Sequence, residues 1–326
     1  MVKRIVYLDL ARAISIICVI WLHVGTIYQT TDNFVHVFHM PIFFVISGLC
    51  FKDSISFVNM IKRKSRSLLF PYFFYATILY LIWTSIYFFI DKGSIVPPLQ
   101  FISAILYDNA DNSPYKCVQW FFTALFVSNI LFFAIHRITK GNRIVLLITA
   151  IVSGLISYFL SLLPFRLPLS IDIAFMSCFF MAIGFLIREV DLHWYMIPIS
   201  LLISVASFIL NKDTIWNMRR LDYGNPLLYM VGSVSLSVMV IVICKYLSKL
   251  PCNKLISSMC FLGRNSIWIL IYNQFFIQLI ALIIKRYSLS VPNVIIIVLV
   301  IILMIPTIQI ENIVSNGNKS HSKSRV

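Results

Sequence analysis

The sequence predicts an all-α membrane protein that crosses the bilayer about ten times, and three observations support this fold class. Hydrophobic residues make up 60% of the 326 residues and charged residues only 12%, whereas soluble domains carry about 25% charged residues. The mean hydropathy is +0.90. The apolar residues also form continuous runs of roughly 17–25 residues, which is the length of a membrane-spanning helix.

These apolar runs can be placed in order along the chain. They lie at about 5–27, 34–51, 68–90, 118–136, 143–163, 170–187, 194–211, 225–247, 265–284 and 291–310. The second and the sixth are the shortest, and for these two runs the sequence gives the weakest indication that the helix crosses the whole bilayer. We expect one membrane domain over residues 1–314, followed by a disordered cytoplasmic tail over 315–326 that is rich in Ser, Asn and Lys.

The distribution of basic residues orients the predicted helices. With the amino terminus in the cytoplasm, the inside segments carry more than twice as many Lys and Arg residues as the outside segments. Both termini are therefore predicted to be cytoplasmic. This rule accounts for most of the net charge of +15, so the charge does not indicate a nucleic-acid partner.

The cysteines argue against two kinds of cysteine-based site. The 7 cysteines are scattered, lie mostly within apolar runs and form no C-x-x-C pair. This pattern argues against a disulfide framework and against a zinc cluster.

The first apolar run carries three ionisable residues, Asp9, Arg12 and His23. At roughly 100° per residue they project from one side of a helix, spread over about 20 Å. A charge at the bilayer centre costs at least about 2.5–3.5 kcal/mol, so such residues usually face a protein interior or a wet cavity. An alternative is that Asp9 and Arg12 form an ion pair that only sets topology, with His23 packed at the membrane interface.

The second run opens with His36 and His39, which share a helical face near the predicted outer boundary, where His23 also lies. The H-x-x-H spacing suits a metal, but no third ligand is patterned nearby, so we predict no metal site. Pro41 is expected to bend or start the helix.

A basic cluster precedes the third run. Lys62, Arg63, Lys64 and Arg66 either contact anionic lipid head groups or form a phosphate clamp for a nucleotide-bearing donor, a role for which arginine is best suited.

Polar and aromatic residues elsewhere give weaker signals. Trp120 is typical of an aromatic belt, and Asp172 is either a residue of the helix start or part of an outer-face site. The segment 211–224 mixes aromatic, amide and charged groups, which suits sugar binding but equally a solvated loop. Asn273 and Gln274 lie at mid-membrane depth and should find partners inside the bundle.

Six motifs follow one another along the chain: YLDLARAISIICVIWLH, HMPIFFVISG, KSRSLLFPY, VQWFFTALF, SIDIAFMSCFFMAIGFLI and LGRNSIWILIY. In this order they resemble the membrane acyltransferases of the acyltransferase-3 family, and among these the polysaccharide and fucose O-acetylases. The first-run arginine and histidine, followed by H-x-P-x-F-F-x-x-S-G, carry most of the specificity.

The resemblance implies ten helices in a bacterial cytoplasmic membrane and transfer of an acyl group, usually acetyl from acetyl-CoA, to a sugar hydroxyl of an envelope glycan. It implies no permanently bound cofactor. The family's essential arginine and histidine match Arg12 and His23, and its arginine before the third helix matches Arg66, with Arg63 as a second match. One departure is Asn273, which stands where many members carry a histidine.

The residues then suggest a mechanism. His23 is our predicted general base for the acceptor hydroxyl. Asp9 and Arg12 are predicted to line the approach of the donor thioester, with Arg66 and Arg63 binding the donor and His39, His36, Trp120 and Asp172 on the acceptor side. Direct transfer and an acyl-histidine intermediate both stay open, as does homo-oligomerisation. The alternative functions are a transporter or flippase of a lipid-linked sugar and a non-catalytic partner of an envelope-synthesis complex.

Overall fold

A computed structural model describes residues 5–25, 29–52, 55–107, 115, 120–251 and 253–323. Within these ranges the chain forms fourteen α-helices and no β-strand. The helices are α1 (Val6–Val24), α2 (Gln29–His36), α3 (Pro41–Leu49), α4 (Phe57–Lys64), α5 (Phe70–Ile90), α6 (Pro98–Tyr107), α7 (Trp120–Ile138), α8 (Arg143–Ser161), α9 (Ile171–Ile187), α10 (Met196–Leu210), α11 (Pro226–Leu247), α12 (Lys254–Arg264), α13 (Ser266–Arg286) and α14 (Asn293–Lys323).

Nine helical stretches among the described residues are long and apolar enough to cross a membrane, which confirms the predicted fold class. They are Val6–Val24, Thr30–Leu49, Phe57–Ile90, Trp120–Ile138, Arg143–Ser161, Pro168–Ile187, Pro226–Leu247, Ser266–Arg286 and Asn293–Ile313. The run predicted at 194–211 forms the shorter helix α10, which has 15 residues.

The expectation that the second and sixth runs are the shortest is therefore wrong. The corresponding stretches, Thr30–Leu49 and Pro168–Ile187, each contain 20 residues. The seventh run is shorter because α10 ends at Leu210, and the following Asn211 turns its side chain to the backbone of Tyr223.

Helix α9 forms the centre of the bundle. It packs against α3, α7 and α8, and 72% of its apolar stretch is buried. Two glycines permit its contact with α3, because a Cβ at Gly48 would collide with the Met181 carbonyl and a Cβ at Gly184 with the Val45 carbonyl. Small residues are the usual means of close helix approach in membranes.

Helix α1 packs against a second set of helices, α3, α11, α12, α13 and α14. Its contact with α12 is also backbone-close, because a Cβ at Gly263 would meet the Asp9 carbonyl. Ala11, Ala13 and Ile16 are fully buried, so α1 is covered on more than one side. These contacts fix the direction in which the carboxyl end of α1 presents His23.

The second membrane stretch is interrupted. Helix α2 ends at His36, residues 37–40 form a turn, and α3 begins at Pro41. Proline lacks an N–H and restricts the residue before it, so it starts a helix more readily than it continues one. The prediction that Pro41 bends or starts this helix is confirmed.

At the other end of the chain, the helical backbone of α14 continues to Lys323. The structure thus assigns helix to most of the segment 315–326, for which composition predicts disorder. The domain boundary at residue 314 and the cytoplasmic location of both termini stay predictions.

The glycine contact between α3 and α9 can be tested by Gly184→Ala. The added methyl forces the α9 backbone away from the Val45 carbonyl, and we expect a loss of about 1–3 kcal/mol of stability, typical of overpacking. Thermal unfolding of the purified protein in detergent measures it. Gly93→Ala is the control, because a Cβ there meets only the Asp91 carboxylate, at 3.3 Å. Equal melting temperatures for the two variants would contradict the packing role.

Candidate functional site

One cavity collects most of the polar residues that the sequence places within apolar runs. It has a volume of about 290 Å³ and lies between α1, the turn 37–40, the start of α7, the loop 217–220 and α13. Its polar and aromatic wall consists of His23, His36, His39, Trp120, Phe121, Phe122, Asn217, Arg219, Arg220, Asn273 and Gln274.

The structure brings together three histidines from two helical segments. His23, in the last turn of α1, is exposed towards the cavity, whereas His39 is only 9% exposed. The rings of His36 and His39 meet edge to face, with 4.9 Å between their centroids. The sequence prediction that these histidines lie near one boundary is thus matched by a shared cavity.

His39 is held in one tautomer. Its Nδ1 lies 3.1 Å from the Val35 carbonyl oxygen. A carbonyl only accepts hydrogen bonds, so Nδ1 carries the proton of the neutral ring and Nε2 keeps its lone pair. The Val35 carbonyl also accepts from the backbone N–H groups of Phe38 and His39, both at 3.3 Å, so the imidazole adds a third contact at the end of α2.

The third histidine raises again the question of a metal site. Among the described residues, no group of three His, Cys, Asp or Glu side chains is arranged to hold a metal ion. Imidazoles can also donate and accept hydrogen bonds and transfer protons near neutral pH.

Asn273 contributes an acceptor to the cavity. Its amide nitrogen donates to the carbonyls of Ile269 and Leu270, both at 2.8 Å, which orients the amide. Its Oδ1 is buried and has no partner among the described residues, while the residue is 2% exposed and lines the cavity. A buried acceptor without a partner is costly, so it is suited to a hydroxyl of a ligand.

The loop 216–223 forms one wall and is held by its own hydrogen bonds. The Asn217 side chain accepts from the Arg220 backbone N–H at 3.1 Å, and Asn217 forms a β-bridge with Asp222. Arg166 donates to the Arg219 carbonyl at 3.2 Å. These contacts present Arg219 and Arg220 to the cavity.

Asp172, which the sequence predicts on the acceptor side, is not among the residues that line the cavity. It is 1% exposed, and its Oδ2 accepts from Arg166 Nε at 2.6 Å. It also accepts from the backbone N–H groups of Leu167 and Ile173. The carboxylate instead positions Arg166, which in turn supports the loop 216–223.

Tyr223 anchors the far end of this loop. Its hydroxyl lies 2.9 Å from the Ser157 hydroxyl, and its carbonyl accepts from Asn211 Nδ2 at 2.9 Å. Burial raises the pKa of Tyr223, so the phenol stays protonated and keeps its hydrogen bond.

Asp9 and Arg12 lie near the other end of α1. Arg12 Nη1 pairs with Asp9 Oδ1 at 3.2 Å, and its Nη2 lies 4.0 Å from Cys50 Sγ. Eleven residues at 1.5 Å per residue separate Arg12 from His23 by about 16 Å along the helix. The structure therefore places these residues outside the histidine cavity.

The predicted donor-binding arginines also lie outside the cavity. Arg63 lies in the last turn of α4, and Arg66 lies in the π-helical segment Ser65–Leu69 that joins α4 to α5. Both side chains are exposed. π-Helical segments inside α-helices frequently occur at functional sites.

Sequence reasoning did not include five polar cavity residues among its candidate site residues. They were visible only as a mixed polar loop and as mid-membrane amides, and they are Asn217, Arg219, Arg220, Asn273 and Gln274. Their signal was polarity inside or beside apolar runs, and only the packing of α13 against α1 shows that they share one cavity.

Comparison with known proteins gives two matches. A family model described as an acyltransferase domain matches residues 5–310. Nodulation protein NolL of Mesorhizobium japonicum is 32% identical over 149 residues, which cover 42% of this chain and 36% of that protein. This chain thus spans little more than a third of the length of that relative. No solved structure matches the chain.

The structural role of Asp172 predicts a specific pattern of stabilities. Asp172→Asn leaves the partly buried Arg166, whose side chain is 20% exposed, without its counter-charge, and we expect a loss of about 1–3 kcal/mol, the usual cost of removing one partner of a hydrogen-bonded pair. The double variant Arg166→Gln/Asp172→Asn removes both charges and is expected to recover part of this loss. Thermal unfolding of the two variants measures the coupling, and a double variant no more stable than the single one would contradict it.

Proposed function

Because the chain belongs to the acyltransferase-3 family of membrane acyltransferases, we propose that it transfers acetyl from acetyl-CoA to a sugar hydroxyl of an envelope or exported polysaccharide. The observation that carries the proposal is the cavity at the carboxyl end of α1. It holds an accessible histidine beside buried hydrogen-bond acceptors, as deprotonation of a hydroxyl requires.

His23 is the proposed general base. Imidazole has an unperturbed pKa near 6.5, so it can accept a proton at neutral pH. The acceptor hydroxyl gives its proton to His23 while its oxygen bonds to the acyl carbon. The thioester C–S bond then breaks, and the CoA thiolate leaves.

Neighbouring groups orient the acceptor. The Nε2 lone pair of His39 and the Oδ1 atom of Asn273 can each accept a hydrogen bond from a sugar hydroxyl. Trp120 offers an apolar face to the ring. The Gln274 amide and the Arg219 guanidinium are donors for the oxygen that becomes negative in the transition state.

The opposite end of α1 is the proposed donor side. Arg12 is partly exposed at 30% and is oriented by Asp9, so it can bind a phosphate, amide or carbonyl of the donor. Arg63 and Arg66 add exposed charge on the stretch that leads into α5. With both termini in the cytoplasm, the donor's arm extends from this end along α1 towards His23.

In the proposed arrangement the protein lies in a bacterial cytoplasmic membrane, with acetyl-CoA on the inner side and the glycan on the outer side. Its partners are then the donor, the acceptor glycan and the bilayer. The enzyme needs no resident cofactor in this scheme, because the donor brings its own activated thioester.

The proposal is tested by acetyl transfer in membranes that contain the full chain. Radiolabelled acetyl-CoA is incubated with de-O-acetylated envelope glycan of the host, and label in the glycan is counted. His23→Gln is expected to lower the rate at least about a hundredfold, since it removes the general base. His193→Gln is the matched control, because His193 is exposed and lies outside the cavity.

Two results would contradict this account in different ways. Wild-type membranes that label no glycan would refute the proposed reaction. Normal transfer by His23→Gln would leave the reaction standing and refute the assignment of His23 as the base.

A further inference from the structure

The charged lining of the cavity has one sign. Arg219 and Arg220 are its charged residues, and no Asp or Glu occurs among the described residues that line it. The histidines on the opposite wall add no negative charge. With Arg219 proposed as a donor to the developing oxyanion, a neutral sugar needs further hydrogen-bond donors and acceptors but no second cation.

The carboxylates that neighbour the cavity are engaged elsewhere. Asp172 is paired with Arg166, and Asp222 accepts from the Ile215 backbone N–H at 3.3 Å. Asp32 accepts from Trp21 Nε1 at 3.2 Å. None of the three forms an ion pair with Arg220 in the part of the chain that the structure describes.

Arg220 is well placed to meet a ligand. Its backbone is fixed by Asn217, while its side chain is exposed and borders the cavity. The segment Met218–Arg220 is a single 3₁₀ turn, held between Asn217 and Leu221, whose φ of 58° closes the turn. A guanidinium whose backbone is held in place in this way can bind a carboxylate or a phosphate through two parallel hydrogen bonds.

We infer that the acceptor is an anionic glycan whose carboxylate or phosphate pairs with Arg220 at the rim of the cavity. The inference rests on the proposed function and narrows its substrate class. The anion is either an acidic sugar of the glycan or a phosphate that links it to a lipid or to the next unit. Pairing at the rim leaves a neighbouring sugar ring beside Trp120 and its hydroxyl beside His23.

The test compares three preparations of one de-O-acetylated glycan stock from the host, with the full chain in membranes and radiolabelled acetyl-CoA. The first is untreated. The second is activated with carbodiimide and reduced with borohydride, which converts carboxylates into neutral alcohols. The third is dephosphorylated with aqueous hydrofluoric acid. One of the two treatments is expected to lower transfer about ten- to a hundredfold, the usual effect of losing a charged hydrogen bond.

Variants link this preference to Arg220. With untreated glycan, Arg220→Gln is expected to transfer acetyl only as fast as the wild type does with the glycan whose anion has been removed. Removing the anion should then lower the rate of Arg220→Gln little further. Arg220→Lys keeps the positive charge but lacks the paired N–H donors of a planar guanidinium, so it should retain part of the preference for the anionic glycan. Lys212→Gln is the matched control, because Lys212 is exposed in the same interhelical segment but does not line the cavity.

The outcomes separate this inference from the proposed function. Equal transfer to all three preparations would overturn the anionic acceptor while the acetyl transfer itself stands. A preference that Arg220→Gln leaves unchanged would overturn the role of this arginine. No label in any preparation would refute the proposed function and this inference with it. The wild-type series decides the first question even if a variant fails to fold.

Discussion

The hydrogen bond from His39 Nδ1 to the Val35 carbonyl oxygen is the interaction on which the site depends. Non-helical backbone at membrane depth is tolerated only where protein buries it or where it lines a cavity. The turn 37–40 meets both conditions, because Val37, Phe38 and Met40 are buried while His39 and Met40 line the cavity. The His39 ring thus ties the turn to the end of α2, where the backbone N–H groups of Phe38 and His39 also meet the Val35 carbonyl, and it lines the cavity.

The surrounding bundle keeps this turn in place from two sides. The glycine contacts between α3 and α9 fix α3 directly after the turn. On the other side, Asp172 and Arg166 hold the loop that carries Arg219 and Arg220. The polar residues are thereby divided along α1, because the Asp9–Arg12 pair beside Cys50 lies at one end and the histidine cavity lies at the other.

Much of the fold could be predicted from the sequence, because a lipid-facing helix must be apolar over its whole length and ten runs meet that condition. The residue pattern also located His23, His36, His39 and Trp120, all of which line the cavity. It could not show that Asp172 is paired with Arg166 rather than exposed to a ligand, since both arrangements begin with an aspartate at a helix start. Nor could it bring Asn273 or Arg220 to the histidines, because packing between segments that lie 181 to 250 residues apart in the sequence leaves no local pattern.

The most direct measurement compares acetyl transfer by His39→Asn and His39→Gln. The side-chain amide N–H of asparagine can replace the Nδ1–H donor to the Val35 carbonyl, but no asparagine atom reaches the position of Nε2. The longer glutamine side chain can place its amide oxygen at the position of Nε2, but it then no longer donates to the Val35 carbonyl. If the Nε2 lone pair serves the acceptor, glutamine retains most of the transfer rate at a lower thermal stability, and asparagine loses the rate while keeping the stability. Equal rates for the two variants, or the opposite order, would contradict the claim that this turn builds the reaction site.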